Sequence, residues 1–95
     1  MLDTGKCYAR ALAVKKKHDF PTDDIVHELS RAKDEIEEAI YAQKSNKSPE
    51  EIGKELADTF IFLISAAHII GIDFDKAVLN KLSINEGRTW ETDKH

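Results

Sequence analysis

Apolar residues in this chain recur at spacings of three and four, and almost nowhere in alternation. That pattern predicts helices throughout and leaves little signal for a strand. The turn signals cut the chain into four pieces. A first helix runs from about Leu2 or Asp3 to Lys17 and is closed by "HDFP". A second starts at Thr22, the expected N-cap after Pro21, with Asp23 and Asp24 complementing the dipole of its first turn. Ile25, Leu29, Ala32, Ile36, Ala39 and Ile40 form its apolar stripe, and "QKSNKS" ends it. In "SPEE", Ser48 caps, Pro49 suits the first helical position and Glu51 completes a capping box, so a third helix begins there. It runs to about Ile70, with Gly71 as its stop. Asp73 caps a fourth, "FDKAVLNKLSIN", ending before Gly87. The expected fold is an all-α, four-helix-bundle-like subunit.

The third helix differs from the others. Phe60, Ile61, Phe62, Leu63, Ile64 and Ile69 point in most directions around it, and such a helix needs neighbours on every side. Three short helices from a small chain supply few. Homo-oligomerisation through this helix, as a dimer or tetramer, is the expectation.

Composition narrows the class. Ninety-five residues suit a single domain, with the first helix in 1–20, further helices in 22–86 and a flexible tail in 87–95. A net charge of −4 argues against a nucleic-acid polymer as partner. The basic cluster Lys15-Lys16-Lys17-His18 reads as a solvated helix end. Cys7 is alone, which excludes an internal disulfide and a zinc-type cysteine set. "FIFLISAAHIIGI" is short for a membrane span, and Ser65 and His68 interrupt it. A cytoplasmic protein without membrane contact is expected.

The chemistry lies in acids placed against apolar runs. Glu35 and Glu38 share one side of the second helix, and Glu55 and Asp58 share one side of the third. Antiparallel packing of the two helices converges all four carboxylates at the edge of a core. Like charges brought together and desolvated are costly, by roughly several kcal/mol per ion. A hard divalent cation removes that cost, and an all-oxygen donor set favours Mg²⁺, with Mn²⁺ as the other choice. Such ions commonly bridge carboxylates to substrate phosphates. The competing view has the acids solvated or paired with Arg31, Lys33 and Lys54, and the chain acting as a non-catalytic helical interaction module.

"DEIEE", 16 residues, then "ELAD" resembles the signature of the MazG-like all-α nucleoside triphosphate pyrophosphohydrolases: Glu-Glu-x-x-Glu, a spacer, Glu-x-x-Asp. The continuation to "INEGRTW" is similar to that family too, so the resemblance covers about Ile25 to Trp90. It implies Mg²⁺-dependent hydrolysis of a nucleoside triphosphate to the monophosphate and pyrophosphate, in a nucleotide-pool house-cleaning role. Dimeric dUTP hydrolases and phosphoribosyl-ATP pyrophosphohydrolases resemble the same architecture, which leaves the substrate class open. The resemblance assigns Glu35, Glu38, Glu55 and Asp58 to metal, with Glu38 the choice for proton acceptor. It assigns Lys81, Asn85 and Arg88, one polar face of the fourth helix, to phosphate and sugar, with Trp90 or Tyr8 available to stack on a base. The chain departs from the motif at Asp34, where the family has Glu. A second register puts Ala32 at a ligand position and keeps Glu35, Glu55 and Asp58. A ligand set that recruits Glu28 one face-turn earlier is the further variant.

Overall fold

A computed structural model describes residues 2–87 of the chain. Met1 and residues 88–95 lie outside the described residues, and with them Arg88, Trp90 and the expected tail. Four helices follow one another: α1 (Thr4–Lys17), α2 (Ile25–Lys44), α3 (Pro49–Ile69) and α4 (Phe74–Glu86). No strand occurs among the described residues, and the fold is all-α as expected.

Each helix opens on a side-chain cap. Asp3, Asp24, Ser48 and Asp73 accept from the backbone N–H three residues on, at 3.1, 3.0, 3.2 and 3.1 Å. The second helix therefore begins two residues later than expected, with Asp24 rather than Thr22 as cap. Asp24 holds the extended backbone that a cap needs, and a carboxylate there also meets the positive end of the helix dipole.

Three helices close in the same way. After α1, α2 and α3 the chain enters the left-handed region at Asp19 (φ 58°), Asn46 (φ 57°) and Gly71 (φ 77°). The next amide then bonds back to the helix: Phe20 N–H to Lys15 O, Lys47 N–H to Ala42 O and Ile72 N–H to Ala67 O. These are Schellman closures, in which left-handed geometry is cheapest for Gly and tolerable for Asn and Asp. At α1 the closure turns Phe20 back beside Val14 and Lys15, a placement that matters for the site.

The short turn at 45–48 folds α3 back along α2, and this pair is the main interface of the subunit. α1 packs on α3, while α4 touches α3 only lightly after the chain bends by 105°. Thr4 Oγ1 donates to Asp75 Oδ1 at 2.9 Å and ties the start of α1 to the start of α4. No single helix among the described residues is long and apolar enough to cross a membrane.

The buried face of α2 follows the apolar stripe the spacing suggested only in part. Glu28, Ala32, Glu35 and Ala42 are its buried residues, whereas Leu29, Ile36 and Ile40 remain about half exposed. Two acids and two alanines thus face inward, where the small side chains let α2 approach its neighbours closely. α3 buries Ile64, Ser65, Ala66 and Ala67. The large apolar side chains left uncovered lie mostly on α2 and α4, including Val78, Leu79, Leu82 and Ile84.

Candidate functional site

The caps at Asp24 and Ser48 and a tight turn set α2 against α3 so that Glu35 meets Glu55 and Asp58. One carboxylate oxygen from each of the three lies within 4.8 Å of the others. Glu35 is buried, Glu55 is half-buried and Asp58 is exposed, so the cluster opens from the interior towards water. Thr59, between Asp58 and the apolar run, donates its hydroxyl to the Glu55 carbonyl at 2.9 Å. That bond keeps the hydroxyl on the helix backbone and leaves the acids unpaired by it.

The electrostatics suit a cation-binding site. Glu35 is pushed up from 4.5 to about 7, by burial first, then by its proton-sharing contact with Glu55, then by the charges of Glu38, Glu55 and Asp58. Glu55 Oε2 is buried without a hydrogen-bond partner. Arg31, Lys33 and Lys54 form no ion pair with these acids among the described residues. Arg31 instead lies over the Phe62 ring, 5.6 Å from its centroid. Three oxygen donors, one orphaned, with no organic cation among them, suit a hard divalent ion.

The four expected ligands are thus not gathered alike. Glu35, Glu55 and Asp58, common to both registers of the motif, are brought together. Glu38 is exposed and outside the gathered set, although Glu35 feels its charge. Ala32, the ligand position of the second register, is buried and offers no donor. Glu28 is also outside the cluster. Seven residues before Glu35, it lies about 10 Å away along the helix axis, paired with Lys15.

Beside the acids, between α1, α2 and α3, lies a cavity of about 610 Å³, a size suited to a small-molecule site. Val14, Phe20, Ile61 and Phe62 give it apolar walls, and Asp58 belongs to both cavity and cluster. Arg10, Lys15, Glu28 and Arg31 supply its charges. Sequence reasoning had Glu28 only as a variant metal ligand and missed Arg10, Lys15 and Arg31 as site residues. Lys15 was expected to be solvated with its neighbours; Lys16, Lys17 and His18 are exposed, but Lys15 is 8% exposed and burial lowers its pKa. The available signal was a charged pair, Lys15 and Glu28, sitting at core positions of two helices.

No α4 residue lines the cavity. Lys81 is exposed and Asn85 half-buried, its Oδ1 without a hydrogen-bond partner. Tyr8 stacks on His68, ring centroids 4.2 Å apart and planes within 5°, so in this arrangement one face of Tyr8 is already covered. Trp90 and Arg88 fall outside the described residues.

The model of the phosphoribosyl-ATP pyrophosphohydrolase family matches residues 9–83, most of the chain. This chain belongs to that family. The match takes in α2, α3 and the acid cluster, and it bears out the MazG-like resemblance carried by "DEIEE" and "ELAD". The chain is also similar to a dATP/dGTP diphosphohydrolase of Salmonella phage PMBT28, 49% identical over 37 residues. That stretch is 39% of this chain and only 13% of the phage protein. No solved structure matches the chain.

Proposed function

We propose that the protein is a divalent-metal-dependent nucleotide pyrophosphohydrolase, releasing pyrophosphate from a nucleoside triphosphate and leaving the monophosphate. The observation that carries this is the convergence of Glu35, Glu55 and Asp58 beside a cavity of nucleotide-binding size, in a chain of this family. Phosphoryl transfer asks mainly for positioning and charge stabilisation, which a carboxylate-held metal beside a cavity supplies.

Glu35, Glu55 and Asp58 would hold Mg²⁺, or Mn²⁺ in its place. Bound there, the ion would neutralise phosphate charge and lower the pKa of a water. Glu38, one turn along α2 from Glu35 and open to solvent, is the carboxylate free to accept the proton of the attacking water. Arg10 and Arg31 border the cavity, so they are placed to meet a polyphosphate. Lys81, Asn85, Arg88 and Trp90 are retained as substrate contacts from the last part of the chain. The family name and the phage relative's name share purine nucleotides, and we take that substrate class for this chain, with nucleotide-pool house-cleaning as its role.

The working form would be an oligomer. Ile36, Ile40 and Leu56 border an open apolar groove between α2 and α3 and are 46, 50 and 60% exposed. A continuous apolar face of that kind favours self-association. The α3 contribution to the contact would then be Leu56, with α2 and α4 supplying most of the surface. Pyrophosphate release from purine nucleoside triphosphates in millimolar Mg²⁺, lost in Asp58→Asn with the oligomer intact, tests the assignment. Turnover undiminished by that substitution would refute it.

A further inference from the structure

Glu28 has no part in the metal cluster, yet it is the most deeply buried acid among the described residues, 1% exposed. Its Oε1 meets the Lys15 ammonium, and its Oε2 has no hydrogen-bond partner. Both residues line the cavity that Asp58 also borders, and Asp58 sits beside Glu35, about 10 Å along α2 from Glu28. A desolvated carboxylate with an orphaned oxygen is a strained feature unless donors reach it, because the unmet desolvation outweighs an ordinary hydrogen bond. A molecule anchored by its phosphates at the acid cluster would extend along the apolar walls of Val14, Phe20, Ile61 and Phe62 towards that carboxylate.

We infer that Glu28 reads the base of the bound nucleotide and selects guanine. This rests on the nucleotide reading of the site given above. A carboxylate only accepts, and it has two oxygens side by side. Guanine is the standard base that presents two adjacent donors, N1–H and the N2 amino group. Adenine and cytosine set one amino donor beside a ring acceptor, whose lone pair a carboxylate repels. Uracil and thymine flank a single N–H with carbonyls. Lys15 pairs with that carboxylate through its ammonium. Its ammonium sits on a flexible four-carbon stem, and burial already weakens its hold on the proton, so it is the partner that yields when base donors arrive.

The test compares dGMP with dIMP, which lacks only the 2-amino group. Calorimetric binding is measured to the full chain and to Glu28→Gln, in Mg²⁺, alongside kcat/KM for dGTP and dITP. The wild type should bind dGMP about 10–100-fold more tightly than dIMP, the range for a hydrogen bond to a charged group. In Glu28→Gln the two should fall to near parity, chiefly through loss of dGMP affinity. Equal losses for both ligands would mean a structural role alone and would overturn the inference, as would a wild type indifferent to the 2-amino group or one that binds neither ligand. Discrimination without turnover of any triphosphate would instead sink the hydrolase reading and leave this one standing. If circular dichroism shows Glu28→Gln unfolded, Glu28→Asp keeps the charge, draws the carboxylate back from the cavity and should narrow the same ratio.

Discussion

Replacing Glu35 with Gln should stabilise the metal-free protein at neutral pH and make it insensitive to metal. Glu35 titrates near 7 in the folded chain against 4.5 ordinarily. At 1.36 kcal/mol per pH unit, this preference for the neutral form is worth about 3 kcal/mol. Because Asp58 opens the cluster to water, screening lowers the expected effect to about 1–2 kcal/mol. The sign follows from the direction. A carboxyl whose pKa is raised on folding holds its proton better when folded, so its contribution is fully favourable below pH 4.5. That contribution is lost as pH rises from 4.5 through about 7, and above 7 the folded state carries the charge at a cost. Glutamine keeps the size and removes the charge. In chelator, at fixed protein concentration, thermal melts at pH 5 and pH 8 should show the wild type losing stability relative to Glu35→Gln. The difference amounts to roughly 5–10 °C in Tm for a domain this small. Millimolar Mg²⁺ at pH 8 should restore the wild type and leave the variant unmoved. A variant less stable than the wild type at pH 8 in chelator, or one with the same pH slope, would refute the crowded-carboxylate account.

The remaining substitutions divide the roles. Glu55→Gln and Asp58→Asn should each cut kcat by about 10²–10³-fold, the scale of removing a charge-stabilising group, and should abolish the Mg²⁺-induced rise in Tm. Glu38→Gln should keep that rise while kcat falls by about 10²-fold, as for a lost general base; loss of the Mg²⁺ response would instead make Glu38 a ligand. Leu56→Glu or Ile40→Glu should convert the oligomer to monomer in sedimentation, and an unchanged mass would remove the α2–α3 groove from the interface. Ser48→Ala should cost about 1 kcal/mol through loss of the α3 cap, read as a lower urea midpoint with unchanged slope.

Helix number, order and ends were legible because they rest on local chemistry. Caps at Ser48 and Asp73 and the left-handed stop at Gly71 act within a turn of where they occur. The exception, Asp24 over Thr22, is also local: Asp24, read as a dipole partner in the first turn, caps the helix itself. Glu35, Glu55 and Asp58 were legible because helical spacing and one short turn suffice to place them. Lys15 and Glu28 were not, since their meeting depends on how α1 leans across the α2–α3 pair, and no spacing within a helix encodes that. The same limit hid the inward face of α2. Periodicity ranks leucine and isoleucine above glutamate for burial, but here Leu29, Ile36 and Ile40 stay about half exposed. Glu28 turns inward against Lys15, and Glu35 turns inward as a carboxyl that burial and its acidic neighbours keep closer to neutral.

Product analysis tests the central claim most directly. The full chain is incubated with dGTP, dATP and their ribo-counterparts, with Mg²⁺ and with chelator, and the products are resolved by chromatography and ³¹P NMR. Monophosphate and pyrophosphate in equal amounts, formed only with metal and absent with Asp58→Asn, are the predicted result. Diphosphate and orthophosphate, or turnover that persists in chelator, would contradict the account.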